Sequence, residues 1–155
     1  MKGNDKVLAE LNNLLSDELT AISQYMVHSE MCANWRYVKL HKAVEERAII
    51  EMKHAEKLIA RILFLEGTPI VSSLKKISIG ADIEAQFKND LAAEYGAVKG
   101  YNAGIRLAYE QGDNGSRELM DSILTDEEEH VDWLEAQIDQ VKLMGLQSYL
   151  VEQVD

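Results

Sequence analysis

The sequence holds one cysteine, Cys32, and one proline, Pro69, in 155 residues. A single thiol excludes an intrachain disulfide, a thiolate zinc cluster and a Cys-x-x-Cys redox pair, and leaves Cys32 to be read as a small buried apolar residue. With so little proline, long stretches are free to be helical. Positive charge is also scarce: 16 Lys and Arg against 27 Asp and Glu give a formal net charge of -11. That balance excludes the clustered basic footprint that nucleic acids require, and it either favours cations as ligands or simply keeps the protein soluble. No uncharged run of about 18 residues is long enough to span a bilayer, and the opening "MKGNDKVLAELNN" lacks the apolar stretch of a signal peptide. The expectation is a cytoplasmic protein with neither membrane nor nucleic-acid partners.

Helix is the only period that persists along the chain. Val7, Leu8, Leu11, Leu15, Leu19, Ile22 and Met26 form an amphipathic stripe within a first helix over 5–34, and "NWRY" interrupts it. A second helix is predicted from about Val38 to Glu66, terminated by Gly67 with Pro69 close behind. Residues 67–81 show no period and form a connection too long for a hairpin turn, as expected of a segment that crosses a bundle. A third helix, N-capped by Asp82, runs to about Gln111. After "GDNGS" a fourth runs to Met144, with Ser116 as a candidate cap, Gly145 as its end and a short amphipathic tail beyond. The length suits one domain that buries about two-thirds of its unfolded surface. Two helical hairpins, about 5–66 and 82–144, joined by one long crossover predict an all-α, four-helix bundle of the ferritin-like type with a short C-terminal helix.

The chemistry lies in "EMKHAE" and "DEEEH", which set Glu51 with His54 and Glu127 with His130, each pair three residues apart and so on one helix face. The pairs stand 76 residues apart, the interval that also separates Glu18 from Glu94 and Tyr25 from Tyr101. Apolar positions match at the same interval, including Leu15 with Leu91 and Leu58 with Leu134, so the chain reads as a duplicated hairpin. One Glu-x-x-His in an acidic chain is an ordinary ion pair; six residues in this register are a ligand set. Glu18 and Glu94 lie within apolar stripes, where an unpartnered carboxylate would cost several kcal/mol. One Glu from each of two helices and a Glu-x-x-His from each of the other two is the di-metal pattern of ferritin-like carboxylate proteins. Four carboxylates match the charge of two divalent ions, and mixed oxygen and imidazole donors suit iron or manganese. Tyr25 and Tyr101 read equally as core tyrosines or as donors to a ligand carboxylate.

The stretches "MKG", "ELTAISQY" (18–25), "EMKHAEKLIARILFLEG" (51–67), "DEEEHVDWLE" (126–135) and "MGLQSYL" (144–150) resemble bacterioferritin along essentially the whole chain. The resemblance implies that Glu18, Glu51, His54, Glu94, Glu127 and His130 form a ferroxidase centre of two irons per subunit, with Glu51 and Glu127 bridging and Tyr25 beside it. It implies a hollow shell of 24 chains built from dimers, in which ferrous iron is oxidised by dioxygen or peroxide and stored as ferric mineral. It further implies haem b shared between two subunits through Met52 of each, in a pocket that Leu19, Ile22, Met26 and Ile49 could line, and a small ferredoxin as reductant. Homomeric and mixed shells both remain open. By itself an outward methionine reads as interface packing; the resemblance gives it the haem.

Glu45, Glu46 and Ile50 depart from relatives that carry Tyr-His at the first two positions and Asp at the last. An inner-surface iron site there is therefore in doubt, since Ile50 has no donor atom. Gly96, Gly100 and Gly104 interrupt the third helix at about 1 kcal/mol each against alanine, which we read as close packing against a neighbour. A rubrerythrin-like peroxidase or another di-iron oxidase could use the same six ligands, although rubrerythrin's Cys-x-x-Cys module cannot be built from one cysteine.

Overall fold

A computed structural model describes residues 1–155. Four long helices, α1 (Asp5–Asn34), α2 (Val38–Phe64), α3 (Ile83–Glu110) and α4 (Asn114–Met144), precede a short α5 (Leu146–Val151), with no strand. The chain is an all-α four-helix bundle with a long connection between α2 and α3 and a fifth C-terminal helix, as the periodicity predicts.

Of the stripe read in the first helix, Val7, Leu11 and Leu15 are buried, Leu8, Leu19 and Ile22 half-buried and Met26 exposed, because the buried face of α1 turns through Leu14, Glu18 and Tyr25 instead. In α2 the buried stripe is Leu40, Val44, Arg47, Glu51, His54, Leu58 and Ile62, alternating steps of three and four. Burial repeats at the interval seen in the sequence. Val7, Leu11, Leu14, Glu18, Tyr25, His28 and Cys32 of α1 are buried, and so is every α3 residue 76 positions on, from Ile83 to Ala108. Leu40, Val44, Arg47, Glu51, His54 and Leu58 of the α2 stripe likewise have buried counterparts in α4, from Ser116 to Leu134.

Helix ends differ in detail from the sequence reading. The second helix stops at Phe64, and the left-handed residue of its C-cap is Glu66 (φ 61°), not Gly67. Gly67 instead donates its N–H to Ile62 and lies where a Cβ would strike Leu8, so it is chosen for close approach. Arg36 (φ 68°) ends α1 in the same way. The N-cap of α4 is Asp113, not Ser116: its carboxylate accepts from the Ser116 N–H at 3.0 Å and hydroxyl at 2.6 Å, and from Arg61 Nη2 at 2.7 Å. Asp82 caps α3 as expected, accepting from Ala85.

The α2–α3 crossover is extended and runs along α1. Asn12, Ser16, Thr20, Gln24 and His28, one turn apart, hold it through its backbone. Ile70, Lys75, Ser78 and Gly80 donate N–H groups to Asn12, Thr20, Gln24 and His28, and Ser16 donates its hydroxyl to the Ser73 carbonyl. A segment without a period of its own thus takes the helical period of its neighbour.

Gly104 and Gly100 face α1 of their own chain: a Cβ on Gly104 would crowd Met120 and Leu14, and one on Gly100 would touch Leu14. Gly96 faces open space. The neighbour inferred from sequence is therefore another helix of the bundle for two of the three.

One apolar cluster fills the bundle end around Leu11, Leu14, Leu58, Ile62 and Met120. A second, around Cys32, Leu40, Phe87, Leu134 and Tyr149, fills the other, and α5 closes it with Tyr149. Cys32 is buried as read, and burial pushes its thiol up to about 12. Between the two clusters lies a polar layer.

Candidate metal centre

That layer is made by stripe positions that carry charge instead of methyl groups. Glu18 (α1), Glu51 and His54 (α2), Glu94 (α3), and Glu127 and His130 (α4) are each at most 8% exposed. Their donor atoms converge in two groups, Glu18, Glu51, His54 and Glu127, and Glu51, Glu94 and His130, with the atoms of each group within 4.8 Å of one another. His54 Nδ1 lies 2.9 Å from Glu127, 3.2 Å from Glu51 and 3.6 Å from Glu18, while His130 Nδ1 lies 2.7 Å from Glu94. All six residues singled out from the spacing are thus brought together.

The two tyrosines cross between hairpins. Tyr25 of α1 donates its hydroxyl to Glu94 of α3, and Tyr101 of α3 donates to Glu18 of α1. Burial, then the adjoining carboxylates, push both phenols up, so they remain donors. This gives Tyr101 the same contact as Tyr25, which the sequence left open.

Two partners were missed. Asp126 Oδ2 lies 2.9 Å from His54 Nε2, fixing that ring from outside the ligand set. The position 76 residues earlier is Ile50, so His130 has no matching carboxylate; its ring stacks on Trp133 at 5.8 Å and meets the edge of Tyr25 at 5.6 Å. The other is Arg47, 7% exposed, whose guanidinium lies 2.5 Å from Glu51, 3.1 Å from Glu127 and 3.6 Å from Glu94. Its signal was present: an arginine on the apolar stripe of α2, one turn before Glu51.

Charge is partitioned within the layer. Burial, reinforced by the negative charge of Glu51, raises Glu18 well above the usual carboxylate range. Burial, with Glu51 and Glu94 nearby, raises Glu127 to about 10. Burial also opposes ionisation of Glu51 and Glu94, but His54 and Arg47 lower the first, and His130 and Arg47 bring the second to about 2. Burial would neutralise His54, yet the surrounding glutamates hold its pKa up at about 12. Burial thus favours the protonated form of Glu18 and Glu127, while the neighbouring cations favour the ionised form of Glu51 and Glu94. Glu51 Oε1, Glu94 Oε2 and Glu127 Oε1 nevertheless have no hydrogen-bond donor. Buried acceptors left this way suit cations, and with imidazole nitrogens beside them the donor set fits two divalent ions of the iron or manganese kind.

Of the residues read as a haem pocket, Met52, Met26 and Ile49 are exposed, at 44%, 54% and 44%. Leu19 and Ile22 are partly buried against the apolar core. Glu45, Glu46 and Ile50 lie at the surface. No helix is long and apolar enough to cross a membrane.

A model of the ferritin-like domain matches residues 8–144. The bacterioferritin of Rhodobacter capsulatus is 44% identical over 149 residues, covering 96% of this chain and 92% of its own. Those of Brucella melitensis and Mycobacterium bovis are each 39% identical over the same share of this chain, covering 92% and 94% of theirs. Overlap of this extent and identity, on a bundle whose central layer is built from the two Glu-x-x-His pairs, means that the chain belongs to the bacterioferritin family of ferritin-like proteins.

Proposed function

We propose that this protein stores iron and acts as a ferroxidase, oxidising Fe(II) to Fe(III) at the buried layer and depositing ferric mineral inside a shell of 24 chains. The observation that carries the reading is the convergence of six ligand residues from four helices on buried carboxylate oxygens that lack donors. Glu18 and His54 would hold one ion, Glu94 and His130 the other, with Glu51 and Glu127 reaching both. Two Fe(II) ions held together supply paired electrons to dioxygen or peroxide.

The protein's part is positioning. The Tyr25 and Tyr101 hydroxyls orient Glu94 and Glu18 from behind. Asp126 fixes the outer nitrogen of His54, and the two apolar clusters keep water from the ends of the layer. Glu18 and Glu127, protonated without metal, give up their protons as cations arrive.

Met52 fits the second cofactor. It is an exposed thioether on α2 with exposed Ile49 three residues before it on the same helix, and if a second chain covers that face a symmetric pair would offer two sulfur ligands and apolar surface to haem b. Haem there would carry electrons between a small ferredoxin and the stored mineral. A cytoplasmic, homo-oligomeric assembly suits these roles.

Rapid mixing of metal-free protein with Fe(II) under oxygen tests the reading. A fast ferric phase saturating at about two irons per chain, then slower growth to many more, is expected. A fast phase that stops there would leave a redox enzyme without storage. His130→Ala should slow the fast phase while leaving the helical content unchanged; oxidation at the normal rate would overturn the site.

A further inference from the structure

Arg47 has no place in the ligand set, yet it occupies the set's own oxygens. Its Nε lies 2.5 Å from Glu51 Oε1, and its Nη2 lies 3.1 Å from Glu127 Oε1 and 3.6 Å from Glu94 Oε2. These three oxygens are the ones without a hydrogen-bond donor, and Nε and Nη2 are likewise without an acceptor in hydrogen-bond geometry. The guanidinium is therefore held there by charge, not by directed bonds. Only Nη1 is anchored, donating to the Asp126 carbonyl at 3.1 Å.

Glu51 and Glu94 both belong to the triad completed by His130, so a cation seated there needs oxygens that Arg47 now neutralises. Four carboxylates balance two divalent ions completely. A guanidinium kept among them would be a buried and uncompensated positive charge, which is strongly unfavourable. An exit is at hand. Arg47 lines two surface hollows of about 220 and 260 Å³ whose walls include the exposed Glu129, with the exposed Glu46 in the first. A rotation of the side chain about its own stem exchanges buried carboxylates for these solvated ones.

We infer that Arg47 is a displaceable internal cation: it occupies the Glu51–Glu94–His130 position in the metal-free protein and yields it to the second metal ion by swinging to Glu46 and Glu129. The inference rests on the di-metal reading above. It makes loading ordered. The Glu18–His54 position fills first, and the second ion binds more weakly because it must displace a charge already in place. That arrangement favours passage of oxidised iron onward from the second position over its retention.

The test is a Co(II) titration of the full chain in its native assembly, followed by the visible absorbance of the bound ion and by calorimetry, for the unaltered protein, Arg47→Gln and Arg47→Lys. Expected are two ions per chain with unequal affinities in the unaltered protein. Arg47→Gln should tighten the second step by about tenfold, equivalent to about 1.4 kcal/mol, and tighten the first less, because Glu51 and Glu127 serve both positions whereas Glu94 serves only the second. Arg47→Lys should fall between. Unchanged or weaker binding at the second step in Arg47→Gln would overturn the inference while leaving the metal centre intact. Failure of every form to bind Co(II) at two positions would overturn the metal centre with it. Should Arg47→Gln not fold, a zinc-loaded crystal structure of the unaltered protein decides: Arg47 turned towards Glu46 and Glu129 is expected, and Arg47 still in contact with Glu51, Glu94 and Glu127 would refute displacement.

Discussion

At the scale of single residues, the layer separates groups that bind from groups that orient. The Asp126 carboxylate meets His54, so Asp126→Asn should weaken cation binding at the Glu18–His54 position by about 10-fold or more, the usual effect of removing a ligand's outer partner. Titration with Co(II) measures this, and unchanged affinity would remove Asp126 from the site. His130, which rests on Trp133 and Tyr25 instead of a carboxylate, should be indifferent to changes at Asp126. The six ligand residues were legible because a recurring interval selects them from an acidic background. Asp126 was not, because a second carboxylate beside Glu127 looks like ordinary helix charge, and Arg47, although it stands on the apolar stripe of α2, carries no sign in the sequence of which carboxylates it meets. What identifies them is contact across helices, between α2 and α4, and no single stripe contains that.

At the scale of elements, the caps and small residues carry separable stability. Asp113 holds the start of α4 and pairs with Arg61, so Asp113→Ala should cost about 1 kcal/mol in thermal or denaturant unfolding. Burial opposes its ionisation, but Ser116 and Arg61 prevail and lower its pKa. A depressed carboxyl stabilises the fold fully above its unfolded value near 3.8 and loses that contribution as pH falls through the folded value. The gap between Asp113→Ala and the unaltered protein should therefore be constant near neutrality and close only in acid; a gap that closed near pH 7 would point to another group. Gly96→Ala, with open space around it, should stabilise α3 by up to about 1 kcal/mol, whereas Gly104→Ala must displace Met120 and should destabilise it. Equal melting shifts for the two would contradict the packing described. Helix positions were readable from periodicity to within a few residues. The start of α3 at Asp82 was readable too, but the cap of α4 and the end of α2 were not, because Asp113 and Ser116 are both good caps and Glu66 is an unfavourable left-handed residue beside a glycine.

At the scale of the whole molecule, the crossover and the hairpin interface decide how the parts hold together. Thr20 accepts the Lys75 N–H at 2.8 Å, so Thr20→Val leaves a part-buried donor unpaired and should cost about 1–3 kcal/mol. Hydrogen exchange at Lys75 should accelerate in that variant, and unchanged protection would mean that the crossover is held by other means. Met52→Leu should abolish haem uptake, read by absorbance, without altering the fast phase of iron oxidation, because an exposed thioether on α2 touches none of the six ligands. The crossover's course could not be read from its own residues, since its order comes from the polar stripe on α1 and not from any period within it. The exchange of tyrosines between hairpins has one more consequence. Each hairpin carries the hydroxyl that sets the other's glutamate, so neither half can finish its own ligands before the two dock. Cation capture during refolding is then a clock: the moment at which a metal is first held firmly marks the moment at which the halves of the chain have met.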